Sequence, residues 1–162
     1  MHRAPPRPGS PPPLPARRGA LTTVWVVVNL VNLLQTAGFA WRVVDPDINR
    51  ILGAAIIALG VPAGLALVSF IRSGSGWRFY AGPVWFMTFV LASFAVDHLL
   101  ELEFRSPRRP EILVPYLVLF FGGIALMGAP MLRINRRLWA VTAVTALALL
   151  GAMGFAMSRG VA

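Results

Sequence analysis

Residues 79–105 have the sequence FYAGPVWFMTFVLASFAVDHLLELEFR and contain both features from which the architecture follows. The segment begins as an apolar run that is long enough to cross a lipid bilayer as a helix. It ends in a cluster of ionisable side chains, and four of the chain's six acidic residues lie between Asp97 and Glu111. We therefore expect a membrane-spanning helix whose charged end is the place for any specific chemistry.

The composition of the whole chain agrees with insertion into a membrane. The 162 residues are 57% hydrophobic and only 13% charged, and the mean hydropathy is +0.69. About 25% of the residues in a typical soluble domain are charged, so this chain lacks much of the polar surface that such a domain needs. The sequence therefore predicts an integral membrane protein.

The charged residues exclude one class of partner and favour another. The net charge is +9, and all fifteen basic residues are arginine. They lie in short clusters at the ends of apolar runs, where arginine anchors helices at lipid headgroups. We expect contact with the lipid bilayer, with anionic lipid at the cytoplasmic face, and no nucleic acid as a partner. The chain has no cysteine, which excludes disulfides and thiolate chemistry.

Hydropathy divides the chain into a tail, five spans and short connections. The spans have membrane length and cover about residues 20–41, 51–71, 79–102, 112–132 and 138–157. Because no connection is long enough for a soluble domain, we predict an all-α fold, a single bundle of five transmembrane helices over residues 20–158. Residues 1–19 are rich in proline and arginine and are predicted to be a disordered basic tail. Residues 159–162 form a short C-terminal tail.

The first span has an alternative interpretation. Arg17 and Arg18 precede an apolar run that ends in small residues near Gly38, an order that is typical of a cleaved signal peptide. The run is longer than a usual signal sequence and contains Asn29 and Asn32. We therefore expect the first span to be retained as a helix of the bundle.

The arginines also predict the orientation of the bundle, because cytoplasmic connections are enriched in positive charge. Nine arginines fall in the tail and in the connections after the second and fourth spans, and six fall on the opposite side. All six acidic residues lie on that opposite side. We expect a multi-pass protein with a cytoplasmic N-terminus and an external C-terminus. Its composition, rich in arginine and alanine without lysine, suggests a bacterial inner membrane.

Polar residues in the first span recur with helical spacing. Thr22, Trp25, Asn29, Asn32 and Thr36 are separated by three, four, three and four positions, so they share one face of a helix. Asn29 and Asn32 fall near the middle of the bilayer, where an unpartnered amide is costly. Hydrogen bonding to another helix is the favoured interpretation, and a ligand site or proton path is the alternative.

Small residues and prolines predict where the helices touch and bend. Gly60 and Gly64 have the spacing that lets two membrane helices approach closely. Alanines repeat with the same spacing in three spans, at Ala54 and Ala58, at Ala125 and Ala129, and at Ala148, Ala152 and Ala156. Pro62 lies at the centre of the second span and is expected to kink it.

The ionisable cluster is expected to extend the third span as a regular helix. With about 100° of rotation per residue, Asp97, Glu101 and Arg105 lie along one stripe, and His98 lies beside it. Asp97 then falls just inside the hydrocarbon, one turn beyond Ser93, and Glu101 falls at the level of the headgroups.

The first span supplies two further polar groups at the depth of Asp97. These are Gln35 and Thr36. If the first and third spans adjoin, these groups and Asp97 line one polar pocket that faces outward.

Three interpretations of the ionisable cluster remain open. It is a salt-bridge ladder in which Glu101 precedes Arg105 in the favourable order, a binding or translocation site for a cation or proton, or a metal site. The metal site would use Asp97, His98 and Glu101, which suit zinc, iron or manganese. No other span offers a second strong metal ligand, so we favour the ladder and expect no cofactor.

Two classes of function follow, and an enzyme is less favoured than either. The first is a non-enzymatic accessory or partner-binding bundle that joins a membrane complex or a homo-oligomer. The alternative is a small transporter or channel that uses polar groups in the first and third spans, namely Asn29, Asn32, Gln35, Asp97 and Glu101. A metal-dependent membrane enzyme is the second alternative. A catalytic serine has little support, because adjacent Asp97 and His98 point in different directions.

Overall fold

The computed structural model describes residues 15–42, 44–45, 48–100 and 109–160, except for the side chains of Pro15, Ala16, Asn49, Arg50 and His98. Within these residues the chain is helical and contains no β-strand. Six α-helices follow one another: α1 (Pro15–Trp41), α2 (Ile48–Ala58), α3 (Gly60–Arg72), α4 (Trp77–Phe94), α5 (Pro110–Ile134) and α6 (Arg136–Ser158). A π-helical turn, Ala95–Leu99, extends α4.

In the described part of the chain, five helical segments are long and apolar enough to cross a membrane, which confirms the predicted all-α class and the five helices of membrane length. They are Arg17–Trp41, Ile51–Arg72, Trp77–Asp97, Pro110–Ile134 and Arg136–Ser158. Each has between 21 and 25 residues and therefore rises by about 31–38 Å. Helix α1 also includes residues 15–19, which the sequence assigns to the tail, because Pro15 suits the first position of a helix. Residues 1–14 lie outside the described part.

The second span is divided where the sequence predicts a kink. Helix α2 ends at Ala58 and α3 begins at Gly60, with Leu59 between them. Proline has no amide proton, so Pro62 leaves the carbonyl of Ala58 without its normal helical donor. Helical hydrogen bonding resumes directly after the break, where the Ala63 amide donates to the Leu59 carbonyl at 3.3 Å.

Helices α4 and α5 pack against each other in one antiparallel register. Each step of three or four residues along α4 matches an equal step back along α5. The matched pairs are Gly82 with Met127, Phe86 with Gly123, Phe89 with Phe120, and Ser93 with Tyr116. At Gly82 the approach is so close that an added methyl group would lie 2.6 Å from the backbone nitrogen of Met127. The interior of this pair is therefore packed without room for a larger residue at position 82.

The small-residue motifs have different outcomes. The Gly60 and Gly64 pair faces α4, since a methyl group on Gly60 would lie 3.0 Å from Val90 and one on Gly64 would lie 3.8 Å from Met87. The alanine pairs in the second and fourth spans are exposed instead, at Ala54, Ala58, Ala125 and Ala129. Glycine provides close approach inside this bundle, whereas these alanines lie on its outer surface.

The connections between helices place the starts of α1, α4 and α6 at one end of the bundle. Helices α3 and α4 are joined by four residues, and α5 and α6 by Asn135 alone. The guanidinium carbon of Arg17, near the start of α1, lies 4.3 Å from the centre of the Phe79 ring near the start of α4. This end, which we call the basic end, carries seven described arginines: Arg17, Arg18, Arg72, Arg78, Arg133, Arg136 and Arg137.

Candidate functional site

The polar face of α1 packs against α6 and forms a set of hydrogen bonds that we call the polar seam. The Trp25 indole donates to the Leu138 carbonyl at 2.9 Å. One turn further along, the Asn29 amide donates to the Thr142 hydroxyl at 3.1 Å. Since the first and last helices keep a constant offset of 113 residues across these contacts, α1 and α6 run parallel.

Asn29 uses both ends of its carboxamide. Its nitrogen also donates to the Trp25 carbonyl at 2.7 Å, and its oxygen accepts from the Thr145 hydroxyl at 2.9 Å. The residue is buried, so these bonds replace the water that the amide would otherwise need. Asn29 is therefore a fully used interhelical contact, as the favoured interpretation of this face predicts.

Asn32 is buried more deeply and is satisfied at one end only. Its nitrogen donates to the Thr145 hydroxyl at 3.0 Å, and the residue is 0% exposed. Within the described part of the chain, its oxygen Oδ1 has no hydrogen-bond partner. A buried acceptor without a donor costs about 1–3 kcal/mol, so Asn32 contributes less to stability than Asn29.

The outer members of the predicted face bond mainly within α1. The Thr22 hydroxyl donates to the Arg18 carbonyl at 3.1 Å, and the Thr36 hydroxyl donates to the Asn32 carbonyl at 2.7 Å. Such bonds to the preceding turn satisfy a hydroxyl without a second helix. The neighbouring Gln35 is half-buried. The side-chain hydrogen bonds from α1 to α6 thus involve Trp25, Asn29 and Asn32.

The backbone around Asp97 departs from the expected regular helix. Helix α4 ends at Phe94, and the following turn is π-helical, with the Leu100 amide donating to the Ala95 carbonyl at 2.8 Å. A π turn closes over five residues rather than four, so the regular α-helix expected at Asp97 is interrupted there, and the alignment of Asp97 with Glu101 and Arg105 stays a prediction. Glu101 and Arg105 themselves lie outside the described residues, as does the side chain of His98.

Below Asp97, the space between α4 and α5 is filled by a hydroxyl pair and aromatic rings. The buried Ser93 hydroxyl donates to the Tyr116 hydroxyl at 3.1 Å. One turn deeper, the Phe89 ring lies 5.2 Å from the ring of Tyr116 and 5.2 Å from the ring of Phe120. These contacts separate Asp97 from the bundle centre along α4.

The polar pocket predicted between the first and third spans requires those two spans to adjoin. In the described part of the chain, α1 packs chiefly against α6 and α3, whereas α4 packs chiefly against α5 and α3. Adjacency of α1 and α4 is therefore not the main packing of either helix. The grouping of Gln35 and Thr36 with Asp97 stays a prediction.

The metal interpretation depends on residues beyond those described. No three histidine or acidic side chains in the described part are grouped so that they could hold a metal ion. The proposed ligands are Asp97, His98 and Glu101. Of these, Glu101 and the side chain of His98 lie outside the described part. The metal site accordingly stays a prediction.

Comparison with known proteins does not assign this chain to a family. The chain matches no protein-family model, and no curated protein or solved structure is significantly similar to it. Its function must therefore be argued from its own residues.

Sequence reasoning did not identify the partners of the polar face. In the part of the chain that the structure describes, Thr142 and Thr145 on α6 are the side-chain hydrogen-bond partners of Asn29 and Asn32 across the seam. One signal was present, since both pairs are separated by three residues and such pairs face the same way on a helix. That spacing could have paired the first span with the fifth.

Proposed function

We propose that this chain is an integral membrane protein that acts as a non-enzymatic accessory or partner-binding helix bundle. The observation that carries the proposal is the polar seam. In the described part of the chain, the side-chain hydrogen bonds of Asn29 are made with α1 and α6, so the polar group nearest the bilayer centre serves to join two helices. In lipid, helices associate through such polar contacts and through small residues, because apolar contact alone gives no preference over lipid.

The outer surface supports a role that depends on partners. The exposed pairs Ala54 with Ala58 and Ala125 with Ala129 would allow another helix to approach closely. A second copy of the chain or a different membrane subunit would fit such surfaces. Helix α1 supplies buried core residues such as Val28 and Val31, which supports retention of the first span rather than its removal as a signal peptide.

The test of this function is purification of the full chain in mild detergent, followed by mass spectrometry of whatever co-elutes. We expect a stoichiometric subunit or a homo-oligomer, and we expect Ala125→Leu with Ala129→Leu to reduce its recovery at least about fivefold, since bulky side chains block close helix approach. The matched control is Ala140→Leu, an exposed alanine on α6. A solitary monomer, or equal recovery with both variants, would argue against the proposal.

The proposed orientation places the basic end in the cytoplasm of a bacterial inner membrane. Because the chain contains no cysteine, a single introduced cysteine reports the side of the membrane on which it lies, without background labelling. In intact spheroplasts we expect Ser158→Cys to react with an impermeant maleimide and Ser75→Cys to react only after lysis. The reverse pattern would show the opposite topology. Labelling of both sites before lysis would contradict the placement of positions 75 and 158 on opposite sides of the membrane.

A second function, a small transporter or channel, is favoured by the π-helical turn that carries Asp97. Such turns occur often at functional sites, and an acidic residue near the end of a span is a common feature of ion pathways. A proton or cation flux in proteoliposomes that Asp97→Asn abolishes would favour this function over the accessory role.

A further inference from the structure

The junction between α5 and α6 concentrates positive charge around a single connecting residue. Helix α5 ends at Ile134 and α6 begins at Arg136. Arg133, Arg136 and Arg137 flank the junction, and all three are exposed. Three guanidinium groups within five residues therefore face the surroundings of the bundle.

Two backbone amides at the start of α6, those of Arg137 and Leu138, are already occupied. The Asn135 side-chain oxygen accepts from the amides of Arg137 at 3.0 Å and Leu138 at 3.4 Å, as is typical of an N-cap residue. The arginine side chains, rather than these two amides, must then hold an anion at this position. Guanidinium groups suit this task, since their planar donors match the oxygens of a phosphate.

The charges elsewhere on the bundle enhance this preference for anions. The other described arginines at the basic end lie on α1, α3 and α4 and are Arg17, Arg18, Arg72 and Arg78. The acidic residues in the described part of the chain lie at the opposite end, at Asp45, Asp97 and Glu111. The basic end thus carries no described carboxylate that would neutralise its arginines.

An aromatic side chain at the junction points to a lipid source for the anion. Trp139 lies one turn into α6 and is 38% exposed, and tryptophan at the end of an apolar helix is typical of the headgroup level of a bilayer. We propose that Arg133, Arg136 and Arg137 bind the phosphate of anionic phospholipid headgroups. This inference rests on the membrane insertion proposed above, and it assigns the anionic lipid expected at the cytoplasmic face to these three side chains.

The test is a titration of the full chain in neutral detergent with short-chain phosphatidylglycerol, in which binding is measured by microscale thermophoresis. We expect the wild-type chain to prefer this lipid to phosphatidylcholine with the same acyl chains. Arg133→Gln with Arg136→Gln should weaken binding about thirtyfold, because each arginine near an anionic lipid surface contributes about 1 kcal/mol. The matched control is Arg109→Gln with Arg159→Gln, which removes exposed arginines from the opposite ends of the same two helices and should leave the affinity within about twofold.

Each other outcome has a defined meaning. An unchanged affinity in the Arg133 and Arg136 variant, or an equal loss in the control, would overturn the proposal. Equally tight binding of glycerol phosphate would assign the site to a free phosphate rather than to a lipid and would also overturn it. If the variant fails to fold, the salt dependence of the wild-type affinity is the test. An affinity that does not fall with added salt contradicts binding by arginine. Partner recovery plays no part in this titration, so its failure would leave the accessory role standing.

Discussion

Replacing Gly82 by alanine is expected to lower the free energy of unfolding by about 1–3 kcal/mol. The added methyl group would lie 2.6 Å from the Met127 nitrogen and 2.7 Å from the Leu126 carbonyl carbon. Because these are backbone atoms of α5, no change of rotamer can relieve the overlap, and the two helices must move apart. This separation would also loosen the contact of Phe86 with Gly123 in the same register. The higher helix propensity of alanine, about 1 kcal/mol over glycine, offsets only part of the cost.

The measurement is unfolding by sodium dodecyl sulfate in mixed micelles, monitored by circular dichroism. Gly151→Ala on α6 is the matched control, because a methyl group there would have no neighbour within 4 Å. We expect the control to be as stable as the wild-type chain or slightly more stable. If Gly82→Ala is equally stable, α4 and α5 do not approach as closely as their backbone contact at Gly82 requires.

Replacing Asn29 by leucine is expected to cost about 1–2 kcal/mol, whereas the same change at Asn32 should be close to neutral. Both residues are buried and lie on the same face of α1. Asn29 loses bonds at both ends of its carboxamide, to Thr142 and from Thr145. At Asn32, the loss of one bond to Thr145 is offset by removal of the unpartnered Oδ1.

A double-mutant cycle separates the hydrogen bond from general effects of the substitution. Thr145→Val preserves the shape of the side chain and removes the hydroxyl that donates to Asn29. We expect a coupling energy of about 0.6 kcal/mol, and at most about 1.7 kcal/mol, between Asn29→Leu and Thr145→Val, which are the average and the maximum found for polar contacts between membrane helices. Thr88→Val is the control, because the Thr88 hydroxyl bonds to its own helix at the Val84 carbonyl, and its coupling should be near zero. A larger cost for Asn32→Leu than for Asn29→Leu would contradict the assigned roles.

Helix breaks could be predicted from the sequence only where the cause is local. Pro62 lacks an amide proton, and this property belongs to the residue wherever it lies, so the division near Leu59 follows from the sequence. The π-helical turn at Ala95–Leu99 contains no proline or glycine. No residue type within it signals a break, so the sequence predicts a regular helix through Asp97.

The candidate site shows the same division. The spacing of Trp25, Asn29 and Asn32 indicates one polar face, because helical rotation is a property of the chain itself. The identity of the facing helix depends on how five spans with similar hydropathy are arranged around one another. Hydropathy does not distinguish among them, and the matching three-residue spacing of Thr142 and Thr145 is only a hint, so the packed bundle was needed to identify α6 as the partner.

The amino-acid sequence by itself determined the helical class, the five apolar segments and the absence of acidic residues from the tail and from the connections after the second and fourth spans. These properties arise from composition and spacing along the chain, and they require no knowledge of neighbours. Tertiary structure alone decided that Gly82 meets the backbone of α5, that the exposed alanine pairs face outward, and that Asn29 bonds to Thr142 and Thr145. The physical reason is that contacts between helices depend on their relative rotation and register, which residues distant in sequence set together.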